Sequence, residues 1–311
     1  MCKENSTKAG ISIGKVTSLK EVKPGIYHLV LKTNLVHQDF SVPQSGQFYM
    51  LRSSTSKVLL SRPISVFSSK KEGDFVFVEF LILLKGQGTK ELCNLSIGDS
   101  VDMTGPLGNT FPKPQEDFVS TENPKIAIVG GGIGVAPCYP IVQAHKEIGN
   151  KVIVIMGARN KDLLIFKEEM EAAADEVIIM TDDGSIGKKG LVTEPLKEMC
   201  ESQCPPAEVI AIGPPIMMKF CAKTTEPYKV PTTVSLNTIM IDGTGMCGGC
   251  RVNIGGETKF VCVDGPEFDA HKVDFDNMMM RMKSYKAKEQ EDFHKCRLQA
   301  QADALAAKQN S

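Results

Sequence analysis

Residues 122–150 read ENPKIAIVGGGIGVAPCYPIVQAHKEIGN, and the stretch decides the fold. A buried apolar run (Ile126–Val129) meets a glycine-rich turn and then a helical pattern: strand, tight turn, helix. The same unit recurs downstream. KVIVIMGARN (151–160) reads as a strand and DLLIFKEEMEAAAD (162–175) as a helix. EVIIMTDDGS (176–185) is a third strand, and EVIAIGPPIMMKFCAK (208–223) a fourth strand with its helix. Alternating strand and helix predicts a doubly wound parallel sheet. Its ligand-facing ends would carry Gly131, Gly132, Gly134, Ala136 and Pro137 of the first turn, with Arg159, Asp182, Asp183, Gly213 and Pro214 beside them. Plain strand–turn–helix architecture also accounts for such glycines, so the turn alone does not prove a dinucleotide site.

Upstream the text changes. GKVTSLKEV (14–22), GIYHLVLKT (25–33), GQFYMLRS (46–53), FVFVEFLILL (75–84) and DSVDMTGPLG (99–108) are short alternating runs rich in β-branched residues. They predict a small β-barrel, separated from the sheet near the polar stretch FVSTENP (118–124). Arg62-Pro63-Ile64-Ser65 is placed at the end of a strand, and Gly86-Gln87-Gly88-Thr89 opens a helix. Arginine grips phosphate bidentately, and a G-x-G-T turn offers backbone N–H groups to a second phosphate. Either piece alone is an ordinary surface feature. Together, ahead of a dinucleotide-type sheet, they point to a flavin dinucleotide.

Three of the ten cysteines, Cys247, Cys250 and Cys262, fall in one glycine-rich stretch as C-x2-C-x11-C. Such clustering indicates metal rather than disulfides in a reducing compartment. Plant-type 2Fe–2S proteins use C-x4-C-x2-C plus a distant fourth cysteine. Here Asp242 holds the first slot, with the formal charge of a thiolate. A structural zinc held by the three cysteines with Asp242 or His271 is the alternative. Residues 275–310 predict one charged helix, with Phe275, Met278, Met279 and Met282 on one face for packing or for a partner.

There are 36 basic and 37 acidic residues, a balance that does not favour nucleic acid or an anionic membrane as partner. No stretch reaches the ~18 apolar residues of a spanning helix. MCKENSTKAG has no apolar leader, so the expected location is cytoplasmic. No Ser–His–Asp or paired-carboxylate arrangement is present, and Cys138 reads as a small buried hydrophobe.

R-P-I-S, G-x-G-T, G-P-L-G (Gly105 to Gly108), G-G-G-I-G-x-A-P, T-D-D-G-S and the cysteine unit occur in the order found in the ferredoxin–NADP reductase superfamily, which the chain resembles over about residues 10–290. Within it the chain is similar to the electron-transfer subunits of dihydroorotate dehydrogenase B. It is more similar to the small (alpha) subunit of NADH-dependent reduced ferredoxin:NADP oxidoreductase, where Asp242 and the tail also fit. The resemblance implies an FAD barrel (1–120), an NAD(H)-binding α/β domain (121–228), a 2Fe–2S unit (229–274) and a C-terminal helix (275–311). It also implies a larger flavin and iron–sulfur partner subunit, with ferredoxin reached indirectly. A sulfhydrogenase or sulfide dehydrogenase subunit is a further enzyme reading. A zinc-binding assembly protein without catalysis is the alternative of another class. Thr110 stands where the family has glycine, which leaves the backbone there open.

Overall fold

The computed structural model describes residues 10–34, 42–111, 124–285 and 291. Strands β1 (Gly10–Lys23), β2 (Ile26–Asn34), β3 (Phe48–Ser53), β4 (Arg62–Glu72) and β5 (Phe75–Leu83) come first. A short helix α1 (Gln87–Cys93) and β6 (Ser100–Leu107) follow. The six strands close into an antiparallel barrel in the order β1-β2-β5-β4-β3-β6. Leu29, Leu31, Leu51, Val78, Phe80, Ile82, Val101 and Met103 fill it, one residue in two along each strand, as a two-residue repeat demands. The sequence analysis found five of these strands. The sixth, β4, starts at Arg62-Pro63 instead of ending there. A proline at a strand's first positions breaks few ladder bonds, and the polar SSKKE half of β4 hides its alternation.

The second layer begins with β7 (Lys125–Gly131), α2 (Val135–Glu147), β8 (Lys151–Ala158), α3 (Lys167–Ala173) and β9 (Glu176–Thr181). Then come β10 (Lys188–Lys189), α4 (Thr193–Glu201), β11 (Glu208–Ile212), α5 (Pro215–Thr225) and β12 (Thr232–Ser235). The cysteine stretch adds β13 (Arg251–Ile254), β14 (Glu257–Phe260), α6 (Val261–Asp264) and β15 (Glu267–Asp269), before α7 (Phe275–Met282). The sheet order is β10-β9-β8-β7-β11-β12-β15, parallel except for β15. The order reverses between β7 and β11, which makes their C-terminal ends the switch point where α/β sheets take ligands.

Two expectations need correction, and one helix was not expected. Residues 162–175 are not one helix: Asn160 Oδ1 caps a short 3-10 turn, Leu164 and Ile165 turn into the core, and only Lys167–Ala173 is α-helical. The apolar LLIF run fills the core rather than one helix face. Helix α4, unread in the sequence, buries Leu196 and Cys200. The C-terminal helix ends at Met282, with a turn over 283–285. Its expected continuation to 310 lies outside the described residues, residue 291 apart. Its apolar face packs on the molecule itself: Phe275 and Met278 are buried, with Met279 and Met282 against the same core. No described helix is long and apolar enough to cross a membrane.

Glycine is required where backbones touch. A Cβ on Gly134 would stand 2.5 Å from the Ile212 carbonyl oxygen and 2.8 Å from Gly213 Cα, and neither atom can swing away. Gly134→Ala is therefore expected to cost about 1–3 kcal/mol. Gly132→Ala, at φ +56 with no atom within 4 Å of the new Cβ, should cost only about 1 kcal/mol of left-handed strain. Thermal unfolding of the two variants checks the order; a Gly134→Ala protein as stable as wild type refutes the packing constraint.

Candidate functional site

The two flavin-type motifs meet in space. A Cβ on Gly88 would lie 2.6 Å from Arg62 Nε, so the guanidinium rests on the bare backbone of the G-x-G-T turn. Arg62 Nη1 donates to the Leu60 and Ser61 carbonyls at 3.0 and 3.1 Å, which aims the fork. Thr89 Oγ1 accepts from the Lys85 and Gly86 N–H groups at 2.9 and 3.1 Å and so closes the turn. On β4 the side chains divide. Ile64 packs toward the barrel core, while Ser65, opposite Phe48 on β3, is exposed. Pro63 pairs with Met50.

The nucleotide-type residues gather at the switch point. Gly131 ends β7, Gly132–Gly134 form a 3-10 turn, and α2 follows. Gly213 lies alongside Gly131: a Cβ there would be 3.1 Å from Gly131 Cα. Met217 lies over both, from the start of α5 behind Pro214. Ala136 is buried against Phe67 of the barrel, and Pro137 is half-buried. Arg159 and Asp182 follow the paired strand ends Ala158 and Thr181, and both are exposed. Asp183 Oδ1 accepts from Ser185 N–H at 2.9 Å, and Ser185's hydroxyl and N–H hold its carboxyl below the usual range. Cys138 is buried, with its Sγ on the Gly134 carbonyl at 3.1 Å, and burial pushes its thiol up. It is a core residue.

In the cysteine stretch, Cys250 and Cys262 are buried with their sulfurs 3.3 Å apart. The Cys262 thiol, hydrogen-bonded to Cys250, holds the Cys250 thiol below the ordinary range. Two thiolates on one tetrahedral metal at ~2.3 Å stand about 3.8 Å apart, so a small outward shift admits an ion between them. Cys247 is exposed, and its Sγ accepts from Gly249 N–H at 3.4 Å. Asp242 spans the loop: Oδ1 accepts from Thr244 N–H and Oδ2 from Cys247 N–H, both at 2.8 Å. The Thr244 bond is the main cause that lowers its pKa. Each carboxylate oxygen keeps a second lone pair. Among the described residues, no group of three or more His, Cys, Asp or Glu side chains is placed to hold one metal ion. His271, the alternative zinc ligand, is engaged elsewhere, with its Nε2 2.9 Å from Thr225 Oγ1.

The cysteine stretch is seated on the barrel. A Cβ on Gly243 would strike Leu107 and Met50 at 2.7 and 2.8 Å. Asn109 donates to the Gly265 carbonyl (N–H, 2.7 Å) and the Asp264 carbonyl (Nδ2, 2.9 Å). Thr110 adopts no left-handed φ, so its replacement of glycine leaves the backbone unstrained. Sequence reading missed the joint between barrel and sheet: Phe67 stacks on Tyr139 (5.3 Å, 23°) and meets Phe166 (5.0 Å). It also missed Glu267, a buried carboxyl beside Gly46. Neither belongs to a motif, so neither gives a sequence signal.

Residues 128–223 match the family described as the oxidoreductase NAD-binding domain, and 237–274 the iron–sulfur cluster binding domain of dihydroorotate dehydrogenase B. A Thermotoga maritima protein named as a homolog of the dihydroorotate dehydrogenase B (NAD(+)) electron transfer subunit is 41% identical over 247 residues, 78% of this chain and 82% of that one. The Streptococcus pneumoniae electron transfer subunit is 36% identical over 257 residues, 82% of this chain and 94% of that one. A solved structure of NADH-dependent reduced ferredoxin-NADP oxidoreductase superposes with a TM-score of 0.78 at 33% identity, over 91% of this chain and 97% of that one. The chain belongs to the family of dihydroorotate dehydrogenase B-type electron-transfer subunits, within the ferredoxin–NADP reductase-like superfamily.

Proposed function

We propose that this chain is the NAD(H)-linked subunit of a heteromeric oxidoreductase, passing electrons between NAD(H), one FAD, one 2Fe–2S cluster and a larger flavin and iron–sulfur subunit. The observation that carries the reading is the seating of the cysteine stretch on β3 and β6, beside the strand that bears Arg62 and Ser65. That seating would bring the cluster unit and the flavin-type strand into one packed contact. The residues fit the groups. The bare Gly88 backbone under Arg62 is a cradle a side chain would fill, and two buried cysteine sulfurs 3.3 Å apart are donor chemistry for iron. FAD, when bound, takes electrons from NADH in pairs and releases them singly to a one-electron cluster, which nicotinamide does not readily do.

The protein's own part is binding and orientation. Arg62 and the Gly86–Thr89 turn would hold the flavin phosphates, and exposed Ser65 would supply a hydrogen bond to the flavin ring or a ribityl oxygen. Gly131, Gly132 and Gly134 let the nucleotide approach the backbone, with Arg159, Asp182 and Asp183 at its ribose end. Asp242 with Cys247, and Cys250 with Cys262, make two ligand pairs. The working division is a barrel to residue 120, a nucleotide domain to 228, a cluster unit to 274 and the terminal helix. Asp242 in a slot that is cysteine in the dihydroorotate branch favours a partner of the bifurcating ferredoxin:NADP type. The names of the Thermotoga and Streptococcus relatives favour the second reading, a dihydroorotate dehydrogenase partner.

Arg62→Ala is expected to lose one charge-assisted phosphate contact, roughly 1.5–3 kcal/mol, and with it most FAD on gel filtration. Stoichiometric retention refutes the role. Exposed Asp182 beside Arg159 suits a ribose diol better than a 2′-phosphate. Stopped-flow flavin reduction should thus be faster and tighter with NADH, and a preference for NADPH would overturn that assignment. Asp242→Cys should keep a 2Fe–2S cluster with altered spectra. Asp242→Ala should make the cluster labile while FAD stays. An unchanged electron paramagnetic resonance signal in Asp242→Ala would reduce the carboxylate to a loop cap.

A further inference from the structure

Two arginines grip the backbone between the first two cysteines of the C-x2-C-x11-C stretch. Arg251 Nη1 donates to the Gly248 carbonyl at 3.1 Å, and Arg281 Nη2 donates to the Gly249 carbonyl at 3.3 Å. Gly248 and Gly249 are the two residues between Cys247 and Cys250. The Gly249 N–H belongs to the same peptide unit as the Gly248 carbonyl, and it donates to Cys247 Sγ at 3.4 Å. A trans peptide carries its C=O and N–H on opposite sides, so this unit links a sulfur on one side to a guanidinium on the other. A cation on the carbonyl polarises the unit and strengthens its N–H bond to sulfur.

Both guanidiniums come from elements that the core fixes. Arg251 opens β13 and is exposed, while Val252 after it is buried with Met278 and Cys262. Arg281 follows Met278 by three residues and so shares its side of α7. That helix is anchored by buried Phe275 and by Lys219, which reaches Asp276 at 2.5 Å. The two arginines line one groove together with Gly249 and Thr238. Neither makes an ion pair among the described residues. Nearby carboxylates are engaged elsewhere: Asp242 with the N–H groups of residues 244 and 247, Asp264 with Phe260 N–H, and Asp274 with Asn277 N–H. A carbonyl accepts a hydrogen bond without cancelling charge, so the groove keeps two positive charges. Arginine holds its charge at every working pH.

We propose that Arg281 and Arg251 are positioning residues that set the reduction potential of the iron–sulfur unit: they hold the Gly248 and Gly249 carbonyls and place unpaired positive charge beside the ligand cysteines, which favours the reduced cluster. This rests on the reading of Asp242, Cys247, Cys250 and Cys262 as ligands of a 2Fe–2S cluster. Four anionic ligands make such a cluster an anion. Reduction adds one electron, supplied by the flavin, with no bond made or broken. The reduced form is the more negative, so cations beside it raise the potential. At an effective dielectric of ~20, a unit charge ~12 Å from a one-electron acceptor shifts its equilibrium about tenfold. Arg281, bonded one residue from Cys250, is half-buried, whereas Arg251 is exposed. Water and salt screen Arg251 more, so Arg281 has the larger effect.

The test uses the full chain loaded with FAD and cluster, poised at a series of potentials and read by the electron paramagnetic resonance signal of the reduced cluster. Arg281→Gln keeps an N–H donor for the Gly249 carbonyl and loses the charge. It should make the cluster about tenfold harder to reduce, a fall of ~59 mV for one electron. Arg251→Gln should lower the equilibrium about threefold, in line with its greater exposure. Arg281→Lys keeps the charge and should stay within about twofold of wild type. A wild-type potential in Arg281→Gln overturns the proposal, as does an Arg281→Lys potential as low as that of Arg281→Gln. Should Arg281→Gln hold no cluster, Arg251→Gln decides: a lowered potential supports the proposal and an unchanged one overturns it. Wild-type protein that shows no 2Fe–2S signal after reconstitution with iron and sulfide would instead overturn the cluster reading, and this proposal with it.

Discussion

The seating of the cysteine stretch on the barrel is the constraint on which the electron path depends. A two-stranded ribbon such as β13–β14 is marginal alone and needs a surface to close on. Gly243 against Met50 and Leu107, and Asn109 bonded to the carbonyls of residues 264 and 265, supply one side of it. Helix α7 covers another: Phe275 and Met278 share a core with Val252 of β13, Val261 and Cys262. The unit that carries the ligands is thereby fixed to barrel and sheet at once, and neither can shift without moving it.

Close approach recurs as the structural method. Gly88 lets a guanidinium rest on a turn, Gly134 lets a helix start against β11, and Gly243 lets a loop lie on a strand. In each case a methyl group would sit closer than 3 Å to a neighbouring atom, so the chain spends glycine where two units must share a surface. Polar side chains then fix what glycine leaves free. Thr89 closes its turn, Asn160 caps the segment after β8, and Asp242 ties residues 244 and 247 into one loop. Asp242 in particular serves the loop's shape through backbone N–H groups whatever else it binds.

The barrel meets the sheet through an apolar joint of a different kind. Phe67, Tyr139 and Phe166 form a small cluster with Leu81, Ala136 and Ile133, and Tyr139, Phe166 and Ile133 also pack on the core of the sheet. Phe166 holds a left-handed φ of +55 to reach it, a conformation that a bulky side chain adopts only where packing compensates. The same joint holds α2, the helix that follows the G-G-G-I-G turn, against β4.

Periodicity in the sequence determined the barrel-then-sheet order, the glycine turn after β7 and the helix face at Phe275 to Met282, because two- and 3.6-residue repeats are written locally. The motifs singled out candidate cofactor residues, since spacing such as C-x2-C-x11-C is written in the sequence whatever lies between the cysteines. Only the tertiary structure decided that Arg62 lies on Gly88, that Ile64 turns inward while Ser65 stays exposed, and that β12 and β15 extend the sheet to the barrel's edge. It alone revealed the Phe67 joint and the enclosed carboxyl of Glu267, whose partners are remote in sequence. Burial and unmet hydrogen bonds are properties of how distant segments close on one another, and no local repeat records them.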